Sequence, residues 1–283
     1  MKYLLLLASI VTLSLGLPSN FEQISLNYHE NIGIKEALRI RTAEESKDFD
    51  GSRIVGGTET YLGGHPYMGG LIISLTSSQT SVCGSTLISN TRLLTAAHCW
   101  FDGSNQAAQF LVVLASTTLF SGGTRVVATN VETHEDFNQL NLNNNIAIIE
   151  IPWINYTPLI QYISLASGSD TFEGQWARAV GYGRTGDNAD ITTNQALHQA
   201  WLQVIPIGVC AATYGADVVT SGTLCTSSAQ GVNVCGGDVG GPLTLNGRLI
   251  GVTSFVSGSG CENGLPAGFT RVAAYDNWIK ARL

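Results

Sequence analysis

What most restricts this chain is the rhythm of its apolar residues from position 54 onward. Short β-branched and aliphatic runs alternate with clusters of Gly, Ser, Asn and Thr. Runs of that length bounded by turn formers read as strands. The first set is Met68–Leu75, Ser81–Ile88, Leu93–Ala97, Phe110–Ala115, Arg125–Val131 and Ile146–Glu150. A stretch through Pro152, Pro158 and 167–170 then separates these from Trp176–Gly181, Gln199–Val204, Thr223–Thr226, Pro242–Leu245, Arg248–Phe255 and Ala267–Arg271. Six strands and then six more predict an all-β fold of two stacked antiparallel barrels. The tail departs from this rhythm: Val272, Tyr275 and Ile279 fall at helical spacing and predict a C-terminal helix.

The N-terminus follows another rule. Lys2 precedes an apolar run, Leu4 to Leu15, with small residues at Ser14 and Gly16. This is the pattern of a secretory signal over residues 1–16. The run falls short of the roughly 20 residues a spanning helix needs, which argues against the alternative of a membrane anchor. Residues 17–53 then form a hydrophilic arm. It carries five basic residues (Lys35, Arg39, Arg41, Lys47, Arg53) and seven acidic ones, with a short helix predicted near Lys35 to Glu45. It reads as a removable pro-segment, against the plainer alternative of a solvated tail. Residues 54–283 are the folded domain. With 44% hydrophobic and 12% charged residues the chain is not disordered. A net charge of −7 gives no electrostatic footprint for nucleic acid.

Export places the chain where disulfides form. Its six cysteines, Cys83, Cys99, Cys210, Cys225, Cys235 and Cys261, allow fifteen pairings, and spacing alone selects none. No Cys-x-x-Cys pair occurs, and His65, His98, His134 and His198 are scattered, so no metal and no cofactor are expected.

Three segments carry a resemblance: Arg53-Ile54-Val55-Gly56-Gly57, Leu94-Thr95-Ala96-Ala97-His98-Cys99, and Cys235-Gly236-Gly237-Asp238-Val239-Gly240-Gly241-Pro242. In order and separation they resemble the chymotrypsin-like serine proteases, and within that family the insect digestive chymotrypsin-like enzymes. The resemblance runs from Ile54 to Leu283. It implies two six-stranded barrels with a cleft between them, and the pairs Cys83–Cys99, Cys210–Cys225 and Cys235–Cys261. It further implies cleavage after Arg53 by a trypsin-like activator, insertion of the new Ile54 ammonium beside Asp238, and an oxyanion hole lined by the Gly237 amide.

Against that template the catalytic positions depart. The imidazole is present at His98. The carboxylate position holds Asn145 and the nucleophile position holds Val239. Valine has no hydroxyl, so it can form no acyl intermediate. An amide at 145 favours the wrong imidazole tautomer and cannot balance an imidazolium. No Gly-x-Ser-x-Gly elbow offers a replacement nucleophile. Asn233 falls at the base of the specificity pocket, with Ser254, Val256 and Ala267 along its walls. With no carboxylate there and a narrowed wall, a small or apolar side chain is expected. The stretch Ser254 to Val256 is placed to pair main chain to main chain with an extended peptide. Asn155-Tyr156-Thr157 is an N-glycosylation sequon.

The sequence therefore predicts a secreted, extracellular serine protease homologue, with the gut lumen as one such location, that is not an enzyme. It would act by binding peptides, protease inhibitors or proteases, with no nucleic-acid or membrane partner. The alternative is an active secreted digestive endopeptidase of chymotrypsin- or elastase-like specificity.

Overall fold

The computed structural model describes residues 21–46, 58–187, 196–228 and 231–283. Residues 1–16, predicted as a signal, and Arg53 and Ile54 lie outside the described residues.

Two sheets form. The N-terminal one runs through β2 (Met68–Leu75), β3 (Thr80–Ser89), β4 (Arg92–Thr95), β5 (Ala107–Leu114), β6 (Thr124–Ala128), β7 (Asn130–Thr133) and β8 (Ala147–Glu150). Its hydrogen-bonded order is β6-β5-β2-β3-β4-β8-β7. The predicted single strand Arg125–Val131 is thus two strands interrupted at Thr129, one half pairing β5 and the other β8. This N-terminal sheet is a half-barrel, one of the two expected barrel-like sheets, and it closes around the interruption by chain continuity and not by a continuous ladder.

The C-terminal sheet contains β1 (Thr58–Glu59), β9 (Ser164–Leu165), β10 (Trp176–Gly181), β11 (His198–Ile205), β12 (Thr223–Thr226), β13 (Pro242–Leu245), β14 (Arg248–Phe255) and β15 (Ala267–Arg271). Here β11 pairs both β10 and β12, so β11-β10-β13-β14-β15-β12 closes as a six-stranded barrel. Closure removes the exposed edges that an open sheet would present. The tail continues from β15 as a 3₁₀ turn, Val272–Tyr275, and a short helix, Asp276–Lys280. It buries Val272, Tyr275 and Ile279, the residues at helical spacing, together with Trp278.

Three disulfides link Cys83 to Cys99, Cys210 to Cys225 and Cys235 to Cys261, as the resemblance implied. Each closes a loop of modest length and stabilises by roughly 3 kcal/mol on chain-entropy grounds.

The arm is not a solvated tail. A π-helical turn, His29–Gly33, leads into helix α1 (Ile34–Glu45). The helix is built largely of strong helix formers. It buries Glu36, Ala37, Ile40 and Ala43, a three- and four-residue spacing that makes one face. Ile40 is fully buried in a cluster with Met68, Val82, Val113, Leu119, Val180, Tyr182 and Leu197. The opposite face carries an exposed Arg41–Glu45 pair at 2.8 Å. Among the described residues no helix is long and apolar enough to cross a membrane.

Candidate active site

Three chain segments bring the key side chains together. His98 sits in a 3₁₀ turn, Ala97–Cys99, directly after β4, and the Cys99–Cys83 bridge ties that turn to β3. Asn145 lies just before β8, after Leu142 and Asn144, both in the left-handed region at φ +55° and +56°. Asn tolerates that region because its short side chain bonds locally. Val239 lies in the tight turn between Cys235 and β13. Gly240 there has φ +82°, and a Cβ on it would run into the Gly84 carbonyl and the Thr95 hydroxyl. That close approach lets the Gly84 amide donate to the Val239 carbonyl at 2.7 Å, fixing the turn against β3.

His98, Asn145 and Ser254 form one buried network. The His98 backbone amide donates to Asn145 Oδ1 at 3.1 Å. Asn145 Nδ2 donates to His98 Nδ1 at 2.8 Å and to Ser254 Oγ at 2.8 Å. The Thr270 hydroxyl bonds the Asn145 carbonyl at 2.7 Å. An amide donor facing Nδ1 puts the ring proton on Nε2, the reverse of what a general base opposite residue 239 requires. His98 Nε2 has no hydrogen-bond partner among the described residues. Burial is the main cause that lowers the His98 pKa to about 3, with His29 adding to it and Asp102 and Asn145 opposing. The ring is therefore neutral at any physiological pH. Val239 is 7% exposed and shares the large apolar cluster with Cys83, Cys99 and Tyr28. Its side chain offers methyl groups where a hydroxyl would attack.

The structure places the remaining predicted residues as follows. Asp238 accepts from the amides of Gly183 and Cys235, each at 2.9 Å. Burial raises its pKa to about 6, the two amides pulling the other way. A cavity beside it is lined by Val180, Gly181, Gly183, Arg184, His198 and Val234. Gly237 has φ +97° and approaches the Gly183 backbone too closely for a Cβ. Asn233 donates from Nδ2 to the carbonyls of Cys261 and Leu265 at 3.3 Å each, tying it to the disulfide loop. Ser254 and Ala267 are buried, and Val256 is half-buried. Asn155 is exposed and accepts from the Trp153 indole at 3.2 Å. One group of metal-ligating type, Asp187 with Cys235 and Cys261, contains two cysteines already joined to each other, so it offers no thiolates.

Sequence reasoning missed two contributors to the cleft, Tyr28 and Glu36. The Tyr28 ring lies 5.1 Å from the His98 ring, centroid to centroid. Glu36 meets Arg184 at 2.7 Å and Arg39 at 2.6 Å. The one available signal was that a hydrophilic arm carries Tyr28, Ile32, Ile34 and Ile40 at all.

Comparison with known proteins agrees with this architecture. The Trypsin family profile matches residues 54–279. A collagenase of Hypoderma lineatum is 39% identical over 233 residues, covering 81% of this chain and 86% of that protein. A solved collagenase structure superposes with a TM-score of 0.75 at 38% identity, covering 81% of this chain and 98% of that one. Brachyurin of Leptuca pugilator is 34% identical over 232 residues, covering 81% and 98%. The solved scabies mite inactivated protease paralogue S-D1 superposes with a TM-score of 0.70, 81% of this chain against 97% of that one, at 24% identity, a likeness of fold alone. These names correct one expectation. Val239 and Asn145 led to the reading that the chain is not an enzyme, whereas its substantial relatives bear protease names and point to an enzyme class. The two substitutions state what those side chains cannot do; class follows from likeness along the whole domain.

Proposed function

The chain belongs to the trypsin family, and from that footing we propose that its cleft is a recognition site for extended peptides, including the exposed loops of protease inhibitors and of proteases, with no acyl-enzyme formed at residue 239. The observation that carries this is the buried network His98–Asn145–Ser254 beside Val239. Asn145 bonds both His98 and Ser254, while the attacking oxygen is replaced by a branched apolar side chain. Binding requires the pocket and the strand edge, and neither depends on a nucleophile. The signal pattern and the Arg53–Ile54 boundary support a secreted protein cut by a trypsin-like activator, and Asn155 supplies a glycosylation sequon. After cleavage the Ile54 ammonium would supply a cation for buried Asp238, whose hydrogen bonds among the described residues come from backbone amides.

A second reading is favoured by the relatives' names: a secreted digestive endopeptidase of chymotrypsin- or elastase-like specificity, whose chemistry would need a nucleophile other than residue 239. One experiment separates the two. The protein is cut at Arg53 and exposed to a fluorophosphonate probe, and turnover of an apolar peptide ester is followed. The recognition reading expects no adduct at residue 239, with one appearing there in the double variant Val239→Ser, Asn145→Asp. A stoichiometric adduct on the unaltered protein, mapped to another residue, supports the endopeptidase.

A further inference from the structure

Resting on the recognition reading, we infer that the place vacated by the nucleophile is a seat for a tyrosine side chain, and that residues 21–33 of the arm are the ligand this chain carries for it. The arm enters through one antiparallel bridge. Ile24 bridges antiparallel to Ser257, and the Gly258 amide donates to the Gln23 carbonyl at 2.7 Å. This is the strand addition foreseen for the Ser254–Val256 edge, displaced toward Gly258. Upstream, the Ser257 and Ser259 hydroxyls both donate to the Glu22 carboxylate, at 2.7 and 2.6 Å.

The arm then delivers Tyr28 to the catalytic positions. Tyr28 is 3% exposed. Its hydroxyl donates to the Val82 carbonyl at 2.8 Å, and the Gly237 amide lies close enough to act on the same oxygen. The ring covers neutral His98 and joins the apolar cluster that contains Val239. The next residue is locked as well: the His29 amide donates to Asp102 at 2.8 Å, and its ring bonds the Ser81 hydroxyl at 2.8 Å. A hydroxyl at 239 would put a polar group into the apolar cluster that this phenol ring joins, and a carboxylate at 145 would favour a charged imidazole under it. Valine keeps that cluster apolar, and the His98 ring stays uncharged with its Nδ1 bonded to Asn145. Burial of a phenol with its hydroxyl bonded at the far end is the arrangement tyrosine favours. The ligand class is thus an extended peptide with an acidic residue six positions before a tyrosine.

The test uses the full chain. Amide exchange at Ser25, His29 and Gly258 is measured in the unaltered protein, in Tyr28→Ala and in Tyr28→Phe. A synthetic peptide of residues 21–33 is then titrated into each. The expected result is exchange at those amides roughly 100-fold faster in Tyr28→Ala, with barrel amides unchanged and a smaller effect in Tyr28→Phe, which keeps the ring. The peptide binds Tyr28→Ala saturably and is excluded from the unaltered chain. Equal exchange in all three proteins, or a peptide that binds all alike or none, overturns the inference. Failure of the recognition reading is seen separately, because that reading is tested with a foreign inhibitor loop and needs no arm.

Discussion

Asn145 shows how one atom redirects a site. Oxygen and nitrogen of its amide occupy the two positions a carboxylate would fill, so every neighbour keeps a bond, and the protein loses charge without losing structure. The consequence is electrostatic. A carboxylate 2.8 Å from Nδ1 would favour the imidazolium; the amide leaves burial to win, and the ring stays neutral to about pH 3. Asn145→Asp is expected to raise the His98 pKa by about 1–3 units, read from the ring proton shifts in an NMR titration. An unchanged titration would mean that the carboxylate does not reach Nδ1. At position 239 the argument is simpler: methyl groups have neither lone pair nor proton to offer.

At the scale of the element, helix α1 is the part with most to explain. Its amphipathic face is ordinary, but it docks across both barrels: Ile40 touches a cluster drawn from β2, β3, β5 and β10, and the Glu44 carboxylate accepts the amides of Leu119 and Phe120 at 2.6 and 2.8 Å. Burial raises the Glu44 pKa while those amides oppose it. Truncating Ile40→Ala should cost about 2–5 kcal/mol, taken from helix docking. Hydrogen exchange checks this: α1 amides lose protection, and those of β2 and β14 do not. The helix itself was readable near Lys35 to Glu45 because its formers and spacing are local signals. Its docking was not, since the complementarity of Tyr28, Glu36 and Ile40 lies with residues far along the chain. The strands were legible for the same reason as the helix. Eight-residue runs such as Met68–Leu75 and Arg248–Phe255 matched in full, while the interruption at Thr129 and the helix Ile207–Tyr214 left no periodic trace. Of the site, His98, Asn145 and Val239 were placed by motif; the neutral tautomer needed coordinates.

Across the whole molecule, two buried groups set opposing pH dependences. His98, at about 3 against 6.5 when unfolded, contributes stability above pH 6.5 that is lost as pH falls toward 3. Asp238, at about 6 against 3.8, contributes stability below pH 3.8 that is lost as pH rises through 6. Between pH 4 and 6 the two largely cancel. Asp238→Asn removes one of them, so the unfolding free energy of the variant should rise with pH more steeply than that of the parent, by up to about 1.4 kcal/mol per pH unit. Denaturant melts at a series of pH values read this difference, and parallel profiles would refute it. The same two groups frame the cleft whose purpose is at issue. Calorimetric titration of a protease inhibitor with an apolar contact residue into Tyr28→Ala protein cut at Arg53 tests that purpose most directly. The account predicts saturable, reversible one-to-one binding with no covalent mass added, and an absence of binding heat at any inhibitor concentration would contradict it.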